Sequence, residues 1–128
     1  MSPAEGQESQ ESQEGVDGRD RYLLLVRTDV DAGAEESFNA WYATHVPALM
    51  TVPGFRWGRR YRLVESDPTE PAPPGERRYV ALYGIDHPDV LRSAPYEAVR
   101  AWDPEIKPHL RNTVVALYEL LTSAKPRP

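Results

Sequence analysis

The sequence predicts an α+β domain of the ferredoxin-like kind: a four-stranded antiparallel sheet with two main helices on one face, in the order β-α-β-β-α-β. Three observations predict it. Segments 22–30, 79–85 and 113–121 are short and rich in Val, Leu and Tyr, and 55–65 alternates Phe55, Trp57, Tyr61 and Leu63 with polar or small residues, all in the manner of strands. Between the first two, Phe38, Trp41, Tyr42, His45 and Leu49 recur at steps of three and four, which places them on one helical stripe. Between the last two, Ser93-Ala94-Pro95 restarts a helical segment expected to reach about Trp102.

The elements follow in order. In segment 22–30, Tyr22, Leu24, Val26 and Val30 point one way while Leu23 and Leu25 point the other, the mark of a strand covered on both faces. Asp31-Ala32-Gly33 turns into the first helix, whose dipole favours Glu35 and Glu36 in the first turn. That helix is expected to run to about His45. Pro47 ends or kinks it, and a short extra turn holds Ala48 to Met50. Val52-Pro53-Gly54 is turn punctuation before the second strand. Simple alternation there puts Phe55, Trp57, Arg59 and Tyr61 on one face and Arg56, Arg60 and Arg62 on a solvated one.

Segment 66–77 holds Pro68, Pro71, Pro73, Pro74 and Gly75 and reads as a long mobile loop. After strand 79–85, Asp86 is the expected cap of a short helical turn begun by Pro88. Pro104 and Pro108 make the segment before the last strand irregular, a possible lid bracketed by Trp102 and His109.

Composition sets the outer bounds. The formal net charge of -5 belongs to residues 1–20, which carry Glu5, Glu8, Glu11, Glu14, Asp17 and Asp20 against Arg19. The remainder is balanced. Residues 1–20 are therefore expected to be a disordered acidic tail, residues 21–122 one folded domain, and residues 123–128 a frayed end. There is no Cys, which excludes thiolate chemistry. No apolar run is long enough to span a membrane and no leader pattern opens the chain, so a cytoplasmic protein is expected. A neutral body without RNA-recognition aromatics argues against nucleic acid. The three His are scattered without metal-ligand spacing, so no metal is expected, and no phosphate-binding glycine loop appears.

The run Phe38-x-x-Trp41-Tyr42-x-x-His45-x-Pro47-x-Leu49, followed by Val52-Pro53-Gly54-Phe55 and then Arg60-Tyr61, resembles the EthD-like branch of the dimeric α/β-barrel superfamily. The resemblance covers roughly residues 21–121. It implies two chains packed sheet to sheet into a barrel, each with its own pocket. Members include cofactor-free monooxygenases, polyketide cyclases, isomerases, decarboxylases and haem enzymes, so the fold by itself fixes little chemistry. The two-sided apolarity of three strands also asks for a cover that the chain does not supply, which a homodimer provides.

His45 is the candidate acid/base, since imidazole exchanges protons near neutral pH, and a helix C-terminus would favour its charged form. The competing reading is a helix-end anchor hydrogen-bonded to a backbone carbonyl. Trp41, Tyr42 and Trp57 are candidate walls for an aromatic substrate. Arg59, Tyr61 and Tyr83 are candidate groups for its oxygens, and His109 is a candidate second acid or base at the substrate site, whereas His87 reads as structural. These residues point to a small, cofactor-independent enzyme (cyclase, lyase, isomerase or monooxygenase) acting on an aromatic or polyketide-like molecule. The alternative is a non-catalytic dimeric binding or stress-related protein with the aromatics as core.

Overall fold

The computed structural model describes residues 21–72 and 79–127. The acidic tail expected at 1–20, and residues 73–78 of the proline-rich loop, lie outside the described residues. The elements are β1 (Tyr22–Val30), a 3-10 turn at Ala32–Ala34, α1 (Glu35–Leu49), β2 (Phe55–Arg62), β3 (Tyr79–Ile85), a 3-10 turn at Pro88–Arg92, α2 (Ala94–Val99), a 3-10 turn at Lys107–His109, and β4 (Leu110–Glu119). The strands form one sheet in the order β2-β3-β1-β4, and every neighbouring pair is antiparallel. This is the ferredoxin-like arrangement.

Register sorts the two faces. Opposite the buried Tyr79, Ala81, Tyr83 and Ile85 of β3 stand Thr28, Val26, Leu24 and Tyr22 of β1. These residues face the helices. On the other face, Leu25 pairs with Leu82 and Ala116, and Trp57 lies over Gly84, where a Cβ would collide with the indole. That face carries Leu23, Leu25, Trp57, Val80, Leu82, Val114, Ala116 and Tyr118, and no element of the described chain covers it.

Four local expectations are corrected. α1 does not stop at His45; it continues through Pro47 to Leu49. Proline removes a single backbone donor, and the Met50 N–H bonding back to Val46 and Pro47 closes the last turn behind it. β2 shifts register between Phe55 and Trp57. This irregularity reverses the alternation: Phe55, Gly58 and Arg60 face the helices, whereas Trp57, Arg59 and Tyr61 face away. Asp86 does not cap the turn that follows β3. It pairs with Arg56 at 2.6 Å, and the cap is the His87 ring, whose Nδ1 accepts from the Asp89 N–H. α2, capped by the Ser93 hydroxyl, ends at Val99 rather than near Trp102.

Two glycine-permissive positions shape the ends. Gly54 sits at φ 99 with Val90 packed where a Cβ would lie, so no other residue suits the turn into β2. Asn112 has φ 57 near the start of β4, and its amide donates to buried Asp29 at 2.8 Å. Asn tolerates this conformation better than most residues.

The core lies under α1. Phe38 is fully buried and packs edge-on against Tyr42 and Tyr79. The Arg60 guanidinium lies 4.1 Å from the centre of the Tyr42 ring and donates to Asn39 Oδ1 at 2.8 Å. The Tyr79 hydroxyl donates to Glu35 and accepts from Asn39. Arg60, read from alternation as a solvated edge residue, is thus a half-buried stacking partner of the core.

Candidate functional site

α1 and α2 leave part of the helix-facing sheet open. Phe55 stacks on Tyr96 of α2 and α1 covers β2 and β3, but on β4 Val115 remains 56% exposed. The gap between them is a cavity of about 330 Å³. Its floor is Leu24, Val26, Tyr83 and Val115 of the sheet. Tyr42, His45 and Leu49 of α1 form one wall, and Tyr96, Arg100, Trp102 and Lys107 form the other wall and the mouth.

His45 reaches this cavity from one turn before the end of α1. Its ring stacks on Trp41, with centres 4.1 Å apart, and meets Tyr42 edge-on. Trp41 in turn packs against Trp102 at 5.3 Å. No hydrogen bond from either imidazole nitrogen is formed to another described residue, so the helix-end anchor is not what the geometry displays. Burial lowers the His45 pKa to about 4, so the ring is neutral at physiological pH. The expected pull of the helix C-terminus towards the charged form is outweighed, in part because α1 runs four residues past His45.

The phenols respond in the opposite sense. Burial pushes Tyr42 and Tyr83 well above the usual phenol range, with Arg60 partly opposing it in both. Burial raises Tyr96 as well, the nearby Arg100 working against it. All three hydroxyls therefore stay protonated. The Tyr83 hydroxyl is buried and has no hydrogen-bond partner among the described residues.

The other candidates lie elsewhere. Trp57, Arg59 and Tyr61 occupy the far side of the sheet or its edge, with Arg59 stacked on Trp57 at 4.6 Å. His109 pairs with Asp31 at 3.2 Å beside a separate surface depression that Trp41 also lines. The structure thus brings Tyr42, His45 and Tyr83 together at one cavity, with Trp41 behind the imidazole. Sequence reasoning missed Tyr96, Arg100 and Lys107. They sit on a six-residue helix and an irregular stretch, where no periodicity marks a face; the only signal was the pair of residues, Trp102 and His109, that bracket the stretch. Among the described residues, no group of three or more His, Asp or Glu is placed to hold a metal ion, and no helix is long and apolar enough to cross a membrane.

No protein-family model matches the chain, and comparison with curated proteins gives no match. Solved structures do match. The haem-degrader MhuD from Mycobacterium tuberculosis, solved with two haems in its active site, superposes with a TM-score of 0.57 at 19% identity, covering 81% of this chain and 99% of that one. An EthD family protein from Bacillus halodurans gives 0.53 at 17% identity, covering 78% and 99%. SnoaB, a cofactor-independent oxygenase from Streptomyces nogalater, gives 0.55 at 18% identity, covering 81% and 96%. The fold is the ferredoxin-like α/β fold these proteins share, and the EthD family protein among them agrees with the resemblance read from Phe38 to Tyr61.

Proposed function

We propose that the chain is a small-molecule enzyme working by proton transfer, with His45 as the acid/base and an aromatic or polyketide-like compound as substrate. One observation carries the reading: a neutral, half-buried imidazole, both nitrogens without a partner among the described residues, set in the wall of a cavity of small-molecule size. Tyr42, Tyr96 and Trp102 supply flat surfaces against which an aromatic ring packs.

A neutral imidazole takes a proton from an acidic carbon or hydroxyl next to a carbonyl. The enolate and the imidazolium then stabilise each other, which offsets the burial that holds the free ring neutral. Returning the proton elsewhere gives isomerisation, elimination or ring closure. If the carbanion reduces O2 itself, the two form a hydroperoxide, and loss of water from it leaves one oxygen atom on the substrate carbon as a carbonyl; SnoaB is a cofactor-independent oxygenase. The donor set also matches haem in kind, with an imidazole for iron and cations at the mouth for propionates. The cavity is small for a tetrapyrrole, and no step is assigned to one. A homodimer joined through the uncovered sheet face is part of the same proposal.

The test is His45→Ala in the full chain. Turnover is expected to fall by roughly 10²- to 10⁴-fold, mainly in kcat, with the thermal transition retained. His87→Ala, which removes a cap and an edge contact with Tyr22 and does not line the cavity, is the control. A folded His45→Ala protein with unchanged kcat ends the assignment.

A further inference from the structure

The exposed arginines Arg21, Arg56, Arg92, Arg100 and Arg111 each pair with a carboxylate. Arg60 is half-buried, where an unpaired charge costs more, yet no Asp or Glu among the described residues pairs with it. Its surroundings fix it instead. The guanidinium carbon lies 4.1 Å from the centre of the Tyr42 ring, 5.3 Å from that of Phe38 and 5.5 Å from that of Tyr79. Nη2 donates to Asn39 Oδ1 at 2.8 Å, and the Asn39 amide is held in turn by the Tyr79 hydroxyl. Burial lowers the Arg60 pKa, with Tyr42, Tyr79 and Tyr83 opposing it. A guanidinium carries several N–H donors, and Asn39 takes one of them. The others have no acceptor among the described residues but are not sealed away; a buried, unpartnered arginine nitrogen occurs at Arg27 and not at Arg60. Behind the guanidinium, towards Val26 and Ala81, there is no room for a water. The free donors therefore open forwards, into a cleft of about 190 Å³ lined by Asn39, Arg60, Tyr61, Arg62 and Tyr79. No acid lines it, and the Tyr61 ring is 52% exposed.

We propose that this cleft binds a small planar carboxylate, as a second ligand site distinct from the His45 cavity. The carboxylate accepts from Arg60, with Arg62 at the rim, and the flat body of the ligand lies against Tyr61. The central cation is already placed by three rings and an amide, so the anion meets charge-assisted donors without first ordering a long side chain. The Tyr42 ring stands between this guanidinium and the His45 cavity, which shares no other lining residue with the surroundings of Arg60 than Tyr42 and Val26. The inference does not depend on the proton-transfer reading.

The probe is benzoate, with benzamide as its uncharged counterpart of the same shape. Binding to the full chain is measured by calorimetry at fixed ionic strength, and the thermal transition of each variant checks its folding. Benzoate is expected to bind, and benzamide about tenfold more weakly. Arg60→Lys keeps the charge but loses the planar fork, and should weaken benzoate by about tenfold. Arg62→Gln alters only an exposed side chain, so it folds whatever becomes of the Arg60 variant, and should weaken benzoate by about threefold. Lys107→Gln, at the mouth of the other cavity, should leave benzoate binding unchanged. Benzoate that binds Arg60→Lys and Arg62→Gln as it binds the parent, or loses affinity only with Lys107→Gln, lies elsewhere and overturns the proposal. Benzamide binding as well as benzoate, or no binding of benzoate at all, overturns it too. His45→Ala should bind benzoate as the parent does, so loss of turnover in that variant bears on the proton-transfer reading alone.

Discussion

Tyr79 and Tyr83 stand on the same strand, on the same face, two pairs apart, yet their surroundings are opposite. Tyr79 lies under α1 with Phe38 against its ring, and Glu35 and Asn39 satisfy its hydroxyl. Tyr83 is as deeply buried, but its hydroxyl meets no partner among the described residues and its ring helps floor a cavity. The sheet is continuous beneath both. What differs is the cover: a fifteen-residue helix over one and a six-residue helix with an irregular tail beside the other. One half of the helix layer is thus built for stability, and the other leaves polar and apolar surface available to a ligand.

The largest test of that division is in the packed half. Phe38→Ala should lose about 3–5 kcal/mol in urea unfolding, because a fully buried ring leaves a cavity behind. Val115→Ala, facing the open half, should lose under about 1 kcal/mol. Equal losses would mean that the two halves are equally packed in solution.

The two tyrosines sharpen the comparison with a change of sign. Tyr79→Phe removes the hydrogen bonds to Glu35 and Asn39 and should destabilise by about 1–2 kcal/mol. Tyr83→Phe deletes a hydroxyl that has no partner among the described residues and should leave stability unchanged or raise it by up to about 1 kcal/mol. A clear loss on Tyr83→Phe would show that its hydroxyl is satisfied without ligand.

The smallest effect is in pH dependence. His45 has a pKa of about 4 when folded, below its ordinary value of 6.5. Between these values the unfolded chain holds a proton that the folded chain does not, so stability falls as pH drops through this window and levels off below it. The ring is half open to solvent, which reduces the effect to the order of 1 kcal/mol. Comparison of urea midpoints at pH 7 and pH 4.5 for the parent and His45→Gln isolates it; the same fall in both proteins would remove His45 as the cause.

Strand positions were legible because alternation is a direct imprint of two-sided packing. β1 and β3 begin and end where the pattern does. The faces of β2 were not legible. One irregular pairing beside Trp57 moves Arg60 into the core and Arg59 out of reach of the cavity, and nothing in the residues from Phe55 to Tyr61 announces it. Half of the cavity was readable, because Tyr42 and His45 lie on a helical stripe. The other half comes from Tyr96, Arg100 and Lys107, which tertiary packing alone brings together. Pro47 misled in the usual direction: local chemistry weakens a helix there, while burial of Leu49 and Val52 just beyond it holds the turn in place.

The stack of Trp41 on His45 has a photophysical consequence. An indole lying 4.1 Å from an imidazole is an emitter with an electron acceptor at contact distance once that imidazole gains a proton. The ring proposed to exchange protons with substrate therefore lies against a native fluorophore, and Trp41 emission is expected to be quenched as His45 gains its proton near pH 4.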